Sequence, residues 1–184
     1  MATEVTRVMV DEHRLILRMI ALVERNTALL EQGRFHDWQF FLDAVDFIRN
    51  YADRFHHAKE EDVLFVALVT NGMPAKQSPI EAMHLEHEQG RSHVRALAEA
   101  AVRALAGEAG QAALIAAHAR GYAQLLRGHI DKEDTILYPL AERILPEAVR
   151  AGILAGYAAA ASATPGLEDR YRQLVEGYER QAAA

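Results

Sequence analysis

The chain has no cysteine. Disulfides, thiolate metal sites and cysteine nucleophiles are therefore excluded from the outset. It has no excess of basic residues either: the formal net charge is −6, with both signs mixed along the chain. No basic stripe emerges, which argues against nucleic acid as a partner. No apolar stretch approaches the length of a membrane span. The opening residues, Met-Ala-Thr-Glu-Val-Thr-Arg, lack an apolar signal region. No membrane partner and a cytoplasmic address are the corresponding expectations. There is no convincing run of alternating polar and apolar residues, so strands are not expected. Nor is there a Ser/His/Asp triad, a phosphate loop or a basic groove.

What is present is helix-forming sequence. Ala, Leu, Glu, Arg and Gln dominate, and 184 residues suffice for a sizeable core. Residues 4–32 carry Val8, Leu15, Leu22 and Leu29 every seven positions, and Gly33 follows. A second helix is expected over about 37–68, through Phe41, Val45, Ile48, Ala52, Phe55 and Val63. Asn71-Gly72-Met73-Pro74 is a break. Ser78-Pro79-Ile80-Glu81 reads as a capping box opening a third helix that runs to about 105. The fourth spans about 111–145, with a possible bend at Pro139. The expected fold class is all-α: an antiparallel up-down four-helix bundle over residues 1–146. A helical extension over 147–184 would pack on the same domain, with helical patterns at 151–163 and 167–181. The last three alanines are expected to fray.

Two phrases in this chain carry chemistry. Arg54-Phe-His56-His-Ala-Lys59-Glu60-Glu-Asp-Val-Leu64-Phe65 is matched by Arg127-Gly-His129-Ile-Asp-Lys132-Glu133-Asp-Thr-Ile-Leu137-Tyr138, at an offset of 73 residues. Glu-His occurs at 12–13 and again at 86–87. The order is His, His-x-x-x-Glu, His, His-x-x-x-Glu, an inventory suited to two metal ions. Positions i and i+4 of an α-helix differ by about 40° in azimuth and about 6 Å along the axis. His56 and Glu60 thus share a face, as do His129 and Glu133, and a carboxylate one turn away can reach a second metal. Met9, Ala52, Met83 and Leu125 lie one turn before the four histidines. Leu17, Val63 and Ile136 follow at helical spacing, which places the histidines on stripes facing the core. Buried carboxylates without partners carry a heavy desolvation cost, and divalent cations would compensate it.

These phrases, together with Glu86-His87-Glu88-Gln-Gly90-Arg91, resemble the hemerythrin-like family of HHE cation-binding domains, over about residues 5–145. The resemblance implies a non-heme di-iron centre with His13, His56, His87 and His129 as terminal ligands and Glu60 and Glu133 as bridges. It also implies that His13 shares one iron with His129, and His56 the other with His87. Oxygen-carrying members use a fifth histidine on the third helix, for which His84 is the candidate. They also use an aspartate where Asp134 stands, but the internal repeat pairs Glu133 with Glu60. Relatives linked to repair of iron centres under nitrosative stress carry a cysteine-containing segment that is missing here. A ferritin-like site needs Glu-x-x-His on two helices, and only Glu81-x-x-His84 fits, once.

The function expected is binding of, or reaction with, a small diatomic ligand, O2 or NO, in oxidative or nitrosative stress response or sensing. An unknown electron donor would serve the centre. Two iron ions are the expected cofactor, with Zn, Mn or Co as possible substitutes. An apolar pocket would admit a neutral gas and exclude ions. The alternatives are a di-iron oxidoreductase or peroxidase-like enzyme, and a metal-stabilised regulatory scaffold. His57 lies about 100° round from His56 and is expected at the bundle rim or in a contact behind the ligands. Lys59 and Lys132 are expected on a solvated flank, and His36 and His93 at the surface or its boundary. His118 and Tyr122 either line an access path or form a buried polar pair.

Overall fold

The computed structural model describes residues 4–183, and among them there are helices and no strand. Six helices follow one another. Helix α1 is Glu4–Glu31 and α3 is Pro79–Leu105. Helix α2 covers 38–70 and α4 covers 111–144, each as one continuous helical run of several segments. Helices α5 and α6 are Glu147–Ala163 and Leu167–Ala183. Gly33 ends α1 at φ 69°, with its N–H bonded to Leu30 and that of Arg34 to Leu29, the left-handed close that glycine permits. Helix α6 includes Ala182 and Ala183, which the sequence reading had fraying, and Ala184 lies outside the described residues. One cap also differs from expectation. Ser78 Oγ caps nothing, because Glu81 reaches past it to accept the N–H of Gln77 at 2.7 Å.

The long helices are not α-helical throughout. Ile48–His57 and Glu60–Leu64 in α2, and Glu133–Leu137 in α4, are π-helical. The N–H of Phe65 bonds the carbonyl of Glu60, and that of Tyr138 bonds Glu133, each five residues back. The two turns fall at equivalent places in the repeated phrases. Pro139 cannot be their common cause, because its counterpart is Val66. Each π turn advances the buried register by one residue. Leu64 and Leu137 are fully buried, whereas Ile136 is 50% exposed and Val63 only half-buried. The expectation that Ile136 faces the core, built on an unbroken α period, is therefore wrong by one position.

Two apolar clusters result. One is built from Leu15 to Leu30 of α1, Phe40 to Phe55 of α2, Val94 to Ala104 of α3 and Ile115 to Ile130 of α4. The other takes Val5 and Met9, Leu64 to Leu68, Ile80 and Met83, and Leu137 to Leu145. Each long helix passes from one cluster to the other. Pairs between helices run in opposite chain order: Glu31–Arg120, Glu24–Arg127, His13–Asp134 and Thr6–Glu142 join α1 to α4. Asp53–Arg91 and Glu61–His87 join α2 to α3 in the same manner.

The last two helices cover the two clusters separately. Tyr171 and Val175 of α6 enter the first cluster, where Tyr171 meets the rings of Phe47 and Tyr51 and donates its hydroxyl to Asp46 at 2.9 Å. Arg18 holds Glu179 through two bonds. Ile153 and Tyr157 of α5 enter the second cluster. Helix α5 approaches so closely that a Cβ on Gly156 would lie 2.9 Å from Val63. Trp38 is only partly buried and packs on the edge of the first cluster.

Tyr171→Ala should lower the free energy of unfolding by about 3–5 kcal/mol, the range for emptying a large aromatic site. Tyr171→Phe should lose about 1 kcal/mol, for the bond to Asp46. Urea unfolding of the two variants checks both; equal, small losses would mean that α6 is not part of the cooperative fold.

Candidate metal centre

Between the two apolar clusters every long helix contributes buried polar side chains to one layer. His13, His56, His87 and His129 are each at most 2% exposed, and Glu60 and Glu133 are fully buried. The imidazoles meet in two pairs. His13 Nε2 lies 3.0 Å from His56 Nε2, and His87 Nε2 lies 3.0 Å from His129 Nε2. The pairing implied by the family resemblance, His13 with His129 and His56 with His87, is not the one found. Histidines of α1 and α2 stand at one level and meet each other, as do those of α3 and α4.

The two glutamates join the pairs. Glu133 places one oxygen 3.3 Å from His13 Nε2 and the other 3.2 Å from His129 Nε2. Glu60 Oε2 lies 3.8 Å from His56 Nε2 and 3.6 Å from His87 Nε2. Each carboxylate thus touches both pairs, as a bridge between two cations would. His13, His56, Glu60 and Glu133 form one group able to hold a metal ion, and His57, Glu60, His87 and His129 form a second. His84, the candidate fifth histidine, joins neither group. It is exposed, its ring 6.4 Å from that of His87, and belongs with Glu61 and His87 to an outer cluster.

Behind each imidazole stands a carboxylate from another helix. His13 Nδ1 lies 2.9 Å from Asp134, His56 Nδ1 2.9 Å from Glu12, His87 Nδ1 2.6 Å from Glu61 and His129 Nδ1 2.9 Å from Glu86. A carboxylate accepts, so each Nδ1 carries the hydrogen and each Nε2 of a neutral ring presents a lone pair. With both rings neutral, two lone pairs would face each other at 3.0 Å in both imidazole pairs, and only a second proton or a cation between them relieves the contact. Glu60 Oε2 and both oxygens of Glu133 have no hydrogen-bond partner. Facing lone pairs and orphaned buried carboxylate oxygens are what a bound cation would resolve. The donor set fits a bound divalent cation.

Titration behaviour repeats the pairing. Burial pulls His13 down, but Asp134 and Glu133 outweigh it and lift the ring to about 9. Burial and the neighbouring His13 hold His56 well below the ordinary histidine range. In the other pair burial is outweighed at His129, raised by Glu133 and Glu86, and prevails at His87. Each pair therefore couples a ring whose second proton is favoured with one whose second proton is disfavoured. Burial and the charge of Glu133 push Glu60 well up. Burial also acts on Glu133, but His129 and His13 bring it well down.

Several site residues escape a reading of the sequence. Of the two placements expected for His57, the rim is not the one found: it is 6% exposed and stacks on His87 with ring centroids 3.9 Å apart, a contact beside a ligand candidate. The π-helical path of Ile48–His57 turns it inward. Tyr138 donates its hydroxyl to Glu60 at 2.7 Å and stacks on His13. Lys59 is 2% exposed, donates to Glu12 and sits 3.6 Å over the Phe55 ring; the solvated flank expected for it is wrong. Its counterpart Lys132 donates to Glu86 and stays partly exposed. The repeated Glu-His and Lys-Glu pairs were the available signal for both contacts.

A cavity of about 200 Å³ reaches the centre at His57 and His87. Arg49, Arg54, Arg91 and Arg95 line it along with Ile48, Val94 and Tyr122. It is not the apolar, ion-excluding pocket expected. Tyr122 is on the access route, whereas His118 lies 3.3 Å from His93 at the boundary.

The model of the hemerythrin HHE cation-binding domain matches residues 4–141. The chain belongs to that family, and a cation-binding centre of histidine and glutamate is what the match and the geometry share. No curated protein and no solved structure gives a significant match.

Without metal, the share of stability that His13 contributes is complete below the ordinary 6.5 and is lost as pH rises through about 9. His129 changes in the same direction. His56, His57 and His87, held low, act oppositely and cost stability where acid forces them to charge. Metal requires bare Nε2 atoms. Loading near pH 7.5 should therefore release about one proton from His13, held up at about 9, and further protons to the extent that His129 and Glu60 are raised. Calorimetric titration in buffers of different ionisation enthalpy measures this number, and proton-neutral loading would contradict the arrangement. Glu61→Ala and Asp134→Ala should each weaken metal binding by about 10–100-fold without abolishing it, as read by competition with a chelator.

Proposed function

We propose that the protein holds two iron ions in the layer between its apolar clusters and uses them to bind, or react with, O2 or NO in a stress response or in sensing. One observation supports this most: each of Glu60 and Glu133 reaches both imidazole pairs. On this reading His13 and His56 hold one ion, His87 and His129 the other, and both carboxylates are shared. Imidazole and carboxylate donors suit iron better than soft metals, though Zn, Mn or Co could occupy the same donors. Bound iron would supply an open coordination position and exchangeable electrons. The chain's own residues fix the donors: Asp134, Glu12, Glu61 and Glu86 hold the four rings by Nδ1, and Tyr138 steadies Glu60. The four long helices are read as one antiparallel up-down bundle over residues 1–146, with 147–184 as a helical extension packed on it. A cytoplasmic address, an electron donor outside the chain and no role for nucleic acid or membrane belong to the same reading.

A second reading is a di-iron oxidoreductase or peroxidase-like enzyme. The cavity at His57 and His87 favours it, because it gives a reactant larger than a gas a way to one half of the centre.

Metal analysis after anaerobic iron loading should give two ions per chain, because the ligand set is duplicated. Glu60→Ala and Glu133→Ala should each impair both ions. A ceiling of one ion that survives loss of either glutamate would sink the dinuclear reading. The absorption spectrum on adding O2 or NO separates the alternatives: a stable reversible band supports binding, and decay with product formation supports turnover. Spectral silence contradicts both.

A further inference from the structure

The cavity beside the centre has features that a gas channel does not need. Three of its four arginines are not matched by acids. Arg91 is spoken for: it binds Asp53 twice and also reaches Glu61 and Glu88. Arg49, Arg54 and Arg95 are exposed and make no ion pair among the described residues; Arg54 only donates to Asn50. Three guanidinium groups thus border one opening without an ion pair of their own, and the carboxylate that lines the cavity with them, Asp53, is taken by Arg91 and His57.

The inner wall is different. Ile48 and Val94 are buried and apolar. Gly90 lies so close to Tyr122 that a Cβ there would sit 3.4 Å from its ring, and its lack of a side chain keeps that wall open. Tyr122 is 3% exposed, yet its hydroxyl has no hydrogen-bond partner. A buried hydroxyl without a partner is costly, and a ligand with an acceptor would satisfy it. A cavity of about 150 Å³ accommodates benzene, so the 200 Å³ present here takes a body of that size and a head group.

We propose that this cavity is a binding site for a small organic carboxylate. The hydrocarbon body rests on Ile48, Val94 and the Tyr122 ring. The carboxylate pairs with the unmatched arginines, whose planar forks suit it, and one of its oxygens accepts the hydroxyl of Tyr122. The occupant sits against His57, whose ring stacks on His87, and so adjoins one half of the metal centre only. The site stands whichever metal or gas the centre takes.

Isothermal titration of metal-loaded protein with benzoate tests it, with benzyl alcohol and inorganic phosphate as comparison ligands. Benzoate should bind saturably at one site per chain. The double variant Arg49→Gln/Arg95→Gln, altered only at exposed positions, should bind it about tenfold more weakly or worse. Tyr122→Phe should lose several-fold, with circular dichroism and metal content unchanged in both variants. Benzyl alcohol, lacking the charge, and phosphate, lacking the apolar body, should each bind about tenfold more weakly than benzoate. The proposal is overturned if benzoate does not saturate. It is equally overturned if the double variant binds benzoate as the parent does, which would mean direct ligation at the metal. Benzyl alcohol binding equally well would reduce the site to an apolar hole, and phosphate binding equally well to a surface patch of arginines.

Discussion

Four imidazoles turn their Nε2 atoms toward two fully buried carboxylates, and the rest of the structure is arranged around that confrontation. In water these groups would be solvated separately. Inside a helical protein, with an apolar cluster above and below, they are tolerable only with compensating positive charge. In the metal-free chain the electrostatics lean that way: the carboxylates favour a retained proton on His13 and His129, and burial with the charge of Glu133 favours the neutral form of Glu60, which removes a negative charge. A pair of divalent cations would replace all of these at once. The outer carboxylates fix the direction of the exchange, because a ring held by Nδ1 can offer the metal only Nε2.

The π turns are the backbone's answer to the same problem. An α period carries His56 and Glu60 on one face, but turns the residue after each glutamate well away. The wider turn rotates the chain less per residue, and π turns are common at functional sites for such reasons. It lets Glu60 point into the layer while Glu61 reaches His87 of the neighbouring helix, and does the same for Glu133 and Asp134. One irregularity therefore provides both a donor that can serve two cations and a carboxylate that orients a ring.

Much of this was legible in the sequence. The six helices fall close to where hydrophobic period, glycine and proline place them, and the six side chains gathered in the central layer are those of the repeat at offset 73, His56, Glu60, His129 and Glu133, and of the two Glu-His pairs, His13 and His87. What was not legible has a shared physical origin. Ile136 was misplaced, and the rim was left open for His57, because an uninterrupted α period was assumed, and nothing in residue type marks a π turn. Lys59 was misread because a lysine beside a glutamate resembles a surface pair; only the packing of α1 on α2 brings Glu12 to it. The pairing of histidines depends on which helices are neighbours at the level of the layer, information that spacing along one chain does not carry.

The repeat is also imperfect where it matters for chemistry. At the shared offset His57 stands opposite Ile130, and Tyr138 opposite Phe65. The His87–His129 pair has an additional imidazole beside it and a cavity at its back; the cavity is lined by no member of the His13–His56 pair. The His13–His56 pair has instead a phenol bonded to Glu60, beneath an apolar cluster that α5 completes through Ile153 and Tyr157. Two ions in such a frame would not be equivalent. One half is steadied by Tyr138 and packed over; the other opens, through His57, on arginines and solvent. The duplicated residue set thus has a closed side and an open side, and the cavity at His57 and His87 adjoins only the second.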